Sequence, residues 1–136
     1  MPIHINSAVP GARGATSPTS RTGTSERRLR VPLGHLVATR ATDRLLMSHE
    51  TGRAFVMSCL RRHERGDWGD LDRHDAEAND LALVTGARIL SSYLIPEQIR
   101  RDAGDGVGDD RLWIITEAEN SGGARSQTTV LFPSDY

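Results

Sequence analysis

Apolar residues recur along this chain at two spacings, and the change between them divides it. From 42 to 85 they fall at helical intervals; from 88 to 132 they alternate, or cluster in short runs bounded by Gly, Pro and acidic residues. Phe55, Val56, Cys59, Leu60 and His63 line one face of a predicted helix over 52–64, with Thr51 as its cap. Upstream, Thr42 can cap a short helix carrying Leu45, Leu46 and Met47, and the run Leu36-Val37-Ala38-Thr39 predicts a first strand within 33–39, with His35 partly buried in it. A further helix is predicted over 73–85. Its stripe is Ala78, Leu81, Ala82 and Thr85, widened by Leu83 and Val84, with Asn79 as a buried polar group bonding the preceding loop.

Between the two longer helices lies a junction, Arg62-His63-Glu64-Arg65-Gly66-Asp67-Trp68-Gly69-Asp70-Leu71-Asp72. Gly66 suits the left-handed position that ends a helix, and Arg61, Arg62 and Arg65 complement the negative end of its dipole. Asp72 is the N-cap of the next helix, with Asp75 and Glu77 near its positive end. Trp68, between two glycines, is expected to plug the core beside both helix ends and to need a partner for its indole N–H.

Strands follow. The segment 88–95 carries Ile89, Leu90, Tyr93, Leu94 and Ile95 and is stopped by Pro96; 112–116 alternates Leu112 and Ile114 against Trp113 and Ile115; 128–132 is stopped by Pro133. A polar, glycine-rich connection over 97–110, with a helical turn at its start, and a hairpin loop over 120–127 separate them. The expected fold is α+β: a small antiparallel sheet, made of a three-strand meander plus the short N-terminal strand, packed on two to three helices. Both faces of the 112–116 strand are apolar. The side near Trp113, Ile115 and Leu131 therefore needs a cover, by a loop, the N-terminal strand or a second copy in a homodimer.

Residues 1–28 break from this pattern. They are rich in Ser, Thr, Gly, Pro and Ala without apolar period, and are expected to form a disordered arm ahead of one domain over 29–136. With 37% hydrophobic and 26% charged residues, the remainder has globular composition. All 17 basic residues are arginine. Five of them (Arg13, Arg21, Arg27, Arg28 and Arg30) stand against Glu26 in residues 1–30, a surplus of four positive charges; with −1 overall, the rest carries −5. A basic arm thus precedes an acidic body. No apolar run approaches a membrane span and no signal-peptide core is visible, so a cytoplasmic protein without membrane partner is expected. The single cysteine, Cys59, cannot form an internal disulfide and sits on the apolar helix face.

Candidate chemistry is sparse. Gly104-Asp105-Gly106-Val107-Gly108 lacks the strand–helix context of a nucleotide loop, and its acids repel phosphate. No C-x-x-C pair or G-x-S-x-G elbow occurs. Asp70, Asp72, His74 and Asp75 are hard ligands, but acids at a helix start are what capping favours, so neither metal nor cofactor is expected. His63 with Asp67 is the one acid–base pair, without a nucleophile or oxyanion donor to complete it. The candidate binding residues are Asp67, Trp68, Asp70, Asp75, Glu77, Asp80, Asp105, Asp109 and Asp110, a negative surface suited to steering in a basic protein.

The stretches RHERGDWGDLD (62–72), Asn79-Asp80, RILSSY (88–93), LWIITEAE (112–119) and TTVLFPSDY (128–136) resemble a group of short proteins encoded on bacterial plasmids and integrated mobile elements, over about residues 33–136. The resemblance implies a mobile-element setting and brings no catalytic residues. This chain departs from the group in its N-terminal arm and its longer connections at 96–110 and 120–127. A restriction-modification role, a label some such proteins carry, finds no support: the cofactor-binding glycine motif and an N-P-P-Y-type motif are both missing. The expected function is that of a non-enzymatic accessory protein binding another macromolecule, in its sharpest form an inhibitor of a host defence complex, CRISPR or restriction. Two alternatives are a DNA-binding regulator acting through Arg21, Arg27, Arg28 and Arg30, and a small metal-dependent hydrolase using His63 and Asp67.

Overall fold

Alternation in the second half of the chain and helical spacing in the first meet across one sheet. The structure, a computed structural model, describes residues 30–104 and 107–136, apart from the side chain of Ser48, and the backbone of Ile3–His4. In chain order the elements are β1 (Ile3–His4), β2 (His35–Ala38), a 3-10 turn (Arg40–Thr42), α1 (Asp43–Ser48), α2 (Glu50–Glu64), α3 (Arg73–Thr85), β3 (Ile89–Leu94), α4 (Glu97–Ala103), β4 (Arg111–Thr116), β5 (Gln127–Leu131) and a 3-10 turn (Pro133–Asp135). The fold is α+β. The strand order is β1-β2-β5-β4-β3.

The meander β3-β4-β5 is antiparallel, as its sequence predicts. The N-terminal strand is not: β2 runs parallel to β5, with Leu36 opposite Thr128 and Ala38 opposite Val130, so the sheet is mixed. A parallel neighbour needs a long crossover, and α1, α2 and α3 all lie within it. Of the expected arm, Ile3–His4 pairs antiparallel with Val37 and Ala38; the remainder lies outside the described residues, together with Arg21, Arg27, Arg28 and Asp105.

Period-2 alternation assigns the faces. Ile89, Tyr93, Leu112, Ile114, Val130, Phe132, Leu36 and Ala38 join Leu45 of α1 and Val56, Cys59 and Leu60 of α2 in one buried cluster. Burial pushes the Cys59 thiol up to about 12, which keeps it protonated and unreactive. On the opposite face Val37, Ile115 and Leu131 are buried and Trp113 is half-buried. Tyr136 stands edge-on to Trp113 at 5.9 Å, and its hydroxyl accepts from Arg88 at 2.7 Å, so part of the cover for that face comes from the chain itself.

Several local expectations are corrected. Thr51 lies inside α2, whose N-cap is His49 without a side-chain bond. Thr42 stands at the N-cap of α1, as expected, but its hydroxyl makes no capping bond and donates back to the Thr39 carbonyl. His35 is exposed. The segment after Pro96 is a two-turn helix whose Ala103 is buried, with Val107 buried just beyond it.

The most polar part of the interior is a relay beneath α2. His63 is fully buried, with Nδ1 2.6 Å from Ser91 Oγ and Nε2 2.9 Å from Thr116 Oγ1. Thr116 Oγ1 lies 2.6 Å from Thr128 Oγ1, and Thr128 donates to the Leu33 carbonyl at 2.7 Å. A hydroxyl has one proton, so these bonds have one consistent direction. Thr128 gives its proton to Leu33, Thr116 gives to Thr128, and His63 Nε2–H gives to Thr116; in a neutral ring Nδ1 is then left to accept from Ser91. Of the two neutral tautomers, the network selects Nε2–H. Burial, with the Arg125 charge second, lowers its pKa from 6.5 to about 3.

Candidate binding surface

The junction forms because α2 ends in a complete glycine motif. Gly66 (φ 84°) donates to the His63 carbonyl at 3.0 Å, and Asp67 N–H donates to the Arg62 carbonyl at 2.9 Å, which turns the chain back beneath the helix. Trp68 then enters the core with 7% exposure, edge-on to His63 at 5.9 Å, and its indole N–H donates to Asp80 Oδ1 at 2.9 Å. Gly69 (φ 77°) lies against β3, where a Cβ would collide with the Ser92 carbonyl and the Tyr93 ring. Gly69→Ala is therefore expected to cost about 2–5 kcal/mol, combining left-handed strain with overpacking. A shift in urea midpoint checks it; an unchanged midpoint would show that the corner yields freely.

Asp72 caps α3, its carboxylate accepting from Asp75 N–H at 2.8 Å, and left-handed Gly86 ends it, as the sequence predicts. Asn79 is buried but does not bond the junction loop. Its amide donates to the Leu90 carbonyl at 2.8 Å and accepts from Leu90 N–H at 3.2 Å, standing in for a strand on the outer edge of β3. The junction continues this seal. Ser92 N–H donates to the Trp68 carbonyl, Asp70 N–H to the Ser92 carbonyl at 2.6 Å, and Leu94 N–H to the Asp70 carboxylate at 2.7 Å.

Because α3 meets the edge of the sheet rather than its face, only a narrow arc of the helix is covered. Asn79 and Ala82 are buried, and Ala76 and Leu83 half-buried. The expected stripe is thus corrected: Ala78, Leu81 and Thr85 point outward, with Leu81 62% and Val84 83% exposed. Between residues 67 and 85 six carboxylates, all exposed, stand against one arginine. Arg125, in the 120–127 loop, holds the far end of α3. It is 7% exposed and donates to the carbonyls of Ala82 (3.0 Å), Ala87 (2.8 Å) and Glu117 (3.0 Å). Nothing in a Ser/Gly-rich loop distinguishes that arginine from a solvated one, so sequence periodicity misses it.

The predicted site residues divide accordingly. Asp67, Asp70, Asp75, Glu77 and Asp80 share the surface of the junction and α3; Trp68 lies beneath it. Asp67 is held by Arg62 at 2.8 Å, whose guanidinium keeps its carboxyl below the usual carboxylate range, and it also accepts from Gly69 N–H. Asp110 is placed by its carbonyl, which accepts from Ile95 N–H, and Asp109 accepts from Ser134 Oγ at 2.6 Å. Arg30 enters the described region through its N–H, which donates to the Glu64 carbonyl. His63 and Asp67 are each engaged elsewhere, one by two buried hydroxyls and one by an exposed arginine, and do not form an acid–base pair. Among the described residues no group of three or more His, Cys, Asp or Glu side chains could hold a metal ion, and no helix is long and apolar enough to cross a membrane.

No protein-family model matches the chain, and searches of the curated proteins and of the solved structures find no significant match.

Proposed function

We propose that this protein acts by binding another protein rather than by catalysis, and that the outer face of α3 is its recognition surface. The observation that carries this is the exposure of Leu81 and Val84 on a helix flanked by carboxylates. Fully covering a Leu or Val side chain is worth roughly 1.5–3 kcal/mol. Two such residues on one outward face give a partner a hydrophobic anchor, and the carboxylates give it direction: an acidic rim speeds encounter with a positively charged partner and disfavours others. Resemblance to mobile-element proteins and the absence of catalytic motifs support the sharper form, an accessory protein that inhibits a host defence complex. Such complexes handle nucleic acid through basic surfaces, which an acidic face can engage.

Cross-linked capture from a bacterial cell lysate, with the wild-type protein and a Leu81→Arg/Val84→Arg double variant as baits, tests this. The wild type should retain a partner that the double variant loses. The variant's melting temperature should stay within a few degrees, since exposed substitutions cost about 0.5 kcal/mol or less. Equal recovery by both baits, or none by either, would refute the assignment to α3.

A further inference from the structure

We infer that the partner presents to α3 an amphipathic helix whose apolar stripe gives way, at one end of the contact, to arginine or lysine. This rests on α3 being the docking surface and names what fills it. The backbone of α3 is spent on its own helical bonds, so a strand cannot add there. The neighbouring strand edge is closed too, since the β3 edge groups of Leu90, Ser92 and Leu94 are taken by Asn79, Trp68 and Asp70. Side-chain packing is what remains, and the exposed ridge suits a helix. Glu77, Leu81 and Val84 follow one another at four- and three-residue steps, with Ala78 and Thr85 beside them, over about 12 Å at 1.5 Å per residue. Such a convex ridge fits the groove between ridges of another helix.

Charge selects among helices. Carboxylates dominate the N-terminal half of α3 and its approach, and the C-terminal half from Leu81 to Thr85 carries no charge. The matching helix is therefore basic at one end of its contact and apolar at the other. The α3 of a second copy does not meet that description, because it would set six carboxylates against six. The arginine-bearing stretch 1–30 of this chain does not either, since it lacks the apolar period a helical stripe requires.

The full chain is titrated with a synthetic peptide of about four helical turns, with leucines at three- and four-residue spacing over one half and arginines over the other. A scrambled peptide of the same composition serves as control. Binding is followed by fluorescence anisotropy at low and at near-physiological salt. The patterned peptide should bind at least tenfold more tightly than the scrambled one. Leu81→Arg/Val84→Arg should abolish that preference, and Asp75→Asn/Glu77→Gln should slow association several-fold and flatten its salt dependence. Equal binding of both peptides, or a preference untouched by the α3 substitutions, would overturn the inference. If the peptide shows no preference while lysate capture still depends on Leu81 and Val84, the helical partner is wrong and the docking surface stands; if capture is independent of them as well, both fall.

Discussion

Replacing Arg125 with methionine is expected to destabilise the protein by about 3–4 kcal/mol, a large share of the 5–15 kcal/mol that holds a domain of this size together. Methionine keeps the packing of the aliphatic stem and removes only the guanidinium. Three carbonyls, on the last turn of α3, just beyond it, and after β4, then lose a charged donor in a place water reaches poorly. A hydrogen bond to a charged group contributes roughly 1.5–3 kcal/mol, and a buried acceptor left alone costs a comparable amount. Lysine should recover only part of the loss, because a single ammonium cannot span carbonyls approached by two separate guanidinium nitrogens. The loss should also be local in origin, with amide exchange at the C-terminal turn of α3 rising before the sheet opens. Urea unfolding decides the matter: a variant within about 1 kcal/mol of wild type would mean that these bonds are replaced by solvent. Since Arg125 fixes the end of α3 beside Val84, the same variant should weaken partner binding.

The second large effect is a pH slope set by His63. Its folded pKa of about 3 lies below the ordinary 6.5, so the folded protein holds the ring neutral where the unfolded chain already binds a proton. Above pH 6.5 both states are neutral and His63 adds no pH dependence. As pH falls from 6.5 toward 3, stability should drop by about 1.4 kcal/mol per unit from this group alone. Asp67, whose pKa is lowered by Arg62, acts in the same direction at the acid end, where its contribution fades as pH falls through the folded value. His63→Gln separates the two. The amide can accept from Ser91 and donate to Thr116 but cannot titrate. Unfolding free energies at pH 7, 5.5 and 4.5 should show the variant weaker at neutral pH by about 1–3 kcal/mol, yet with a flattened slope. Parallel slopes would mean that the imidazole is protonated inside the fold.

Local signals carried a good part of this structure. The end of α2 at Gly66, the Asp72 cap and the Gly86 stop are written in single residues with strong conformational preferences, and all three stand where those preferences put them. The buried indole of Trp68 with a partner for its N–H follows from the cost of leaving a polar group unpaired. The outward turn of Leu81 was not legible, because helical spacing says which residues share a face and not which face is covered. The mixed sheet escaped for a similar reason: β2 is a four-residue apolar run whose composition fits a parallel or an antiparallel neighbour equally well.

The amino-acid order alone determined where α2 ends and where α3 begins and ends, that the fold is α+β, and that the body is acidic. These depend on bonds and preferences spanning a few residues. Tertiary structure alone decided that β2 lies beside β5, that Arg125 pins α3, that His63 shares its proton network with three strands, and that two apolar side chains of α3 face outward. Each of those requires residues far apart in the chain to meet, and a linear pattern does not encode which of its possible meetings excludes the most water.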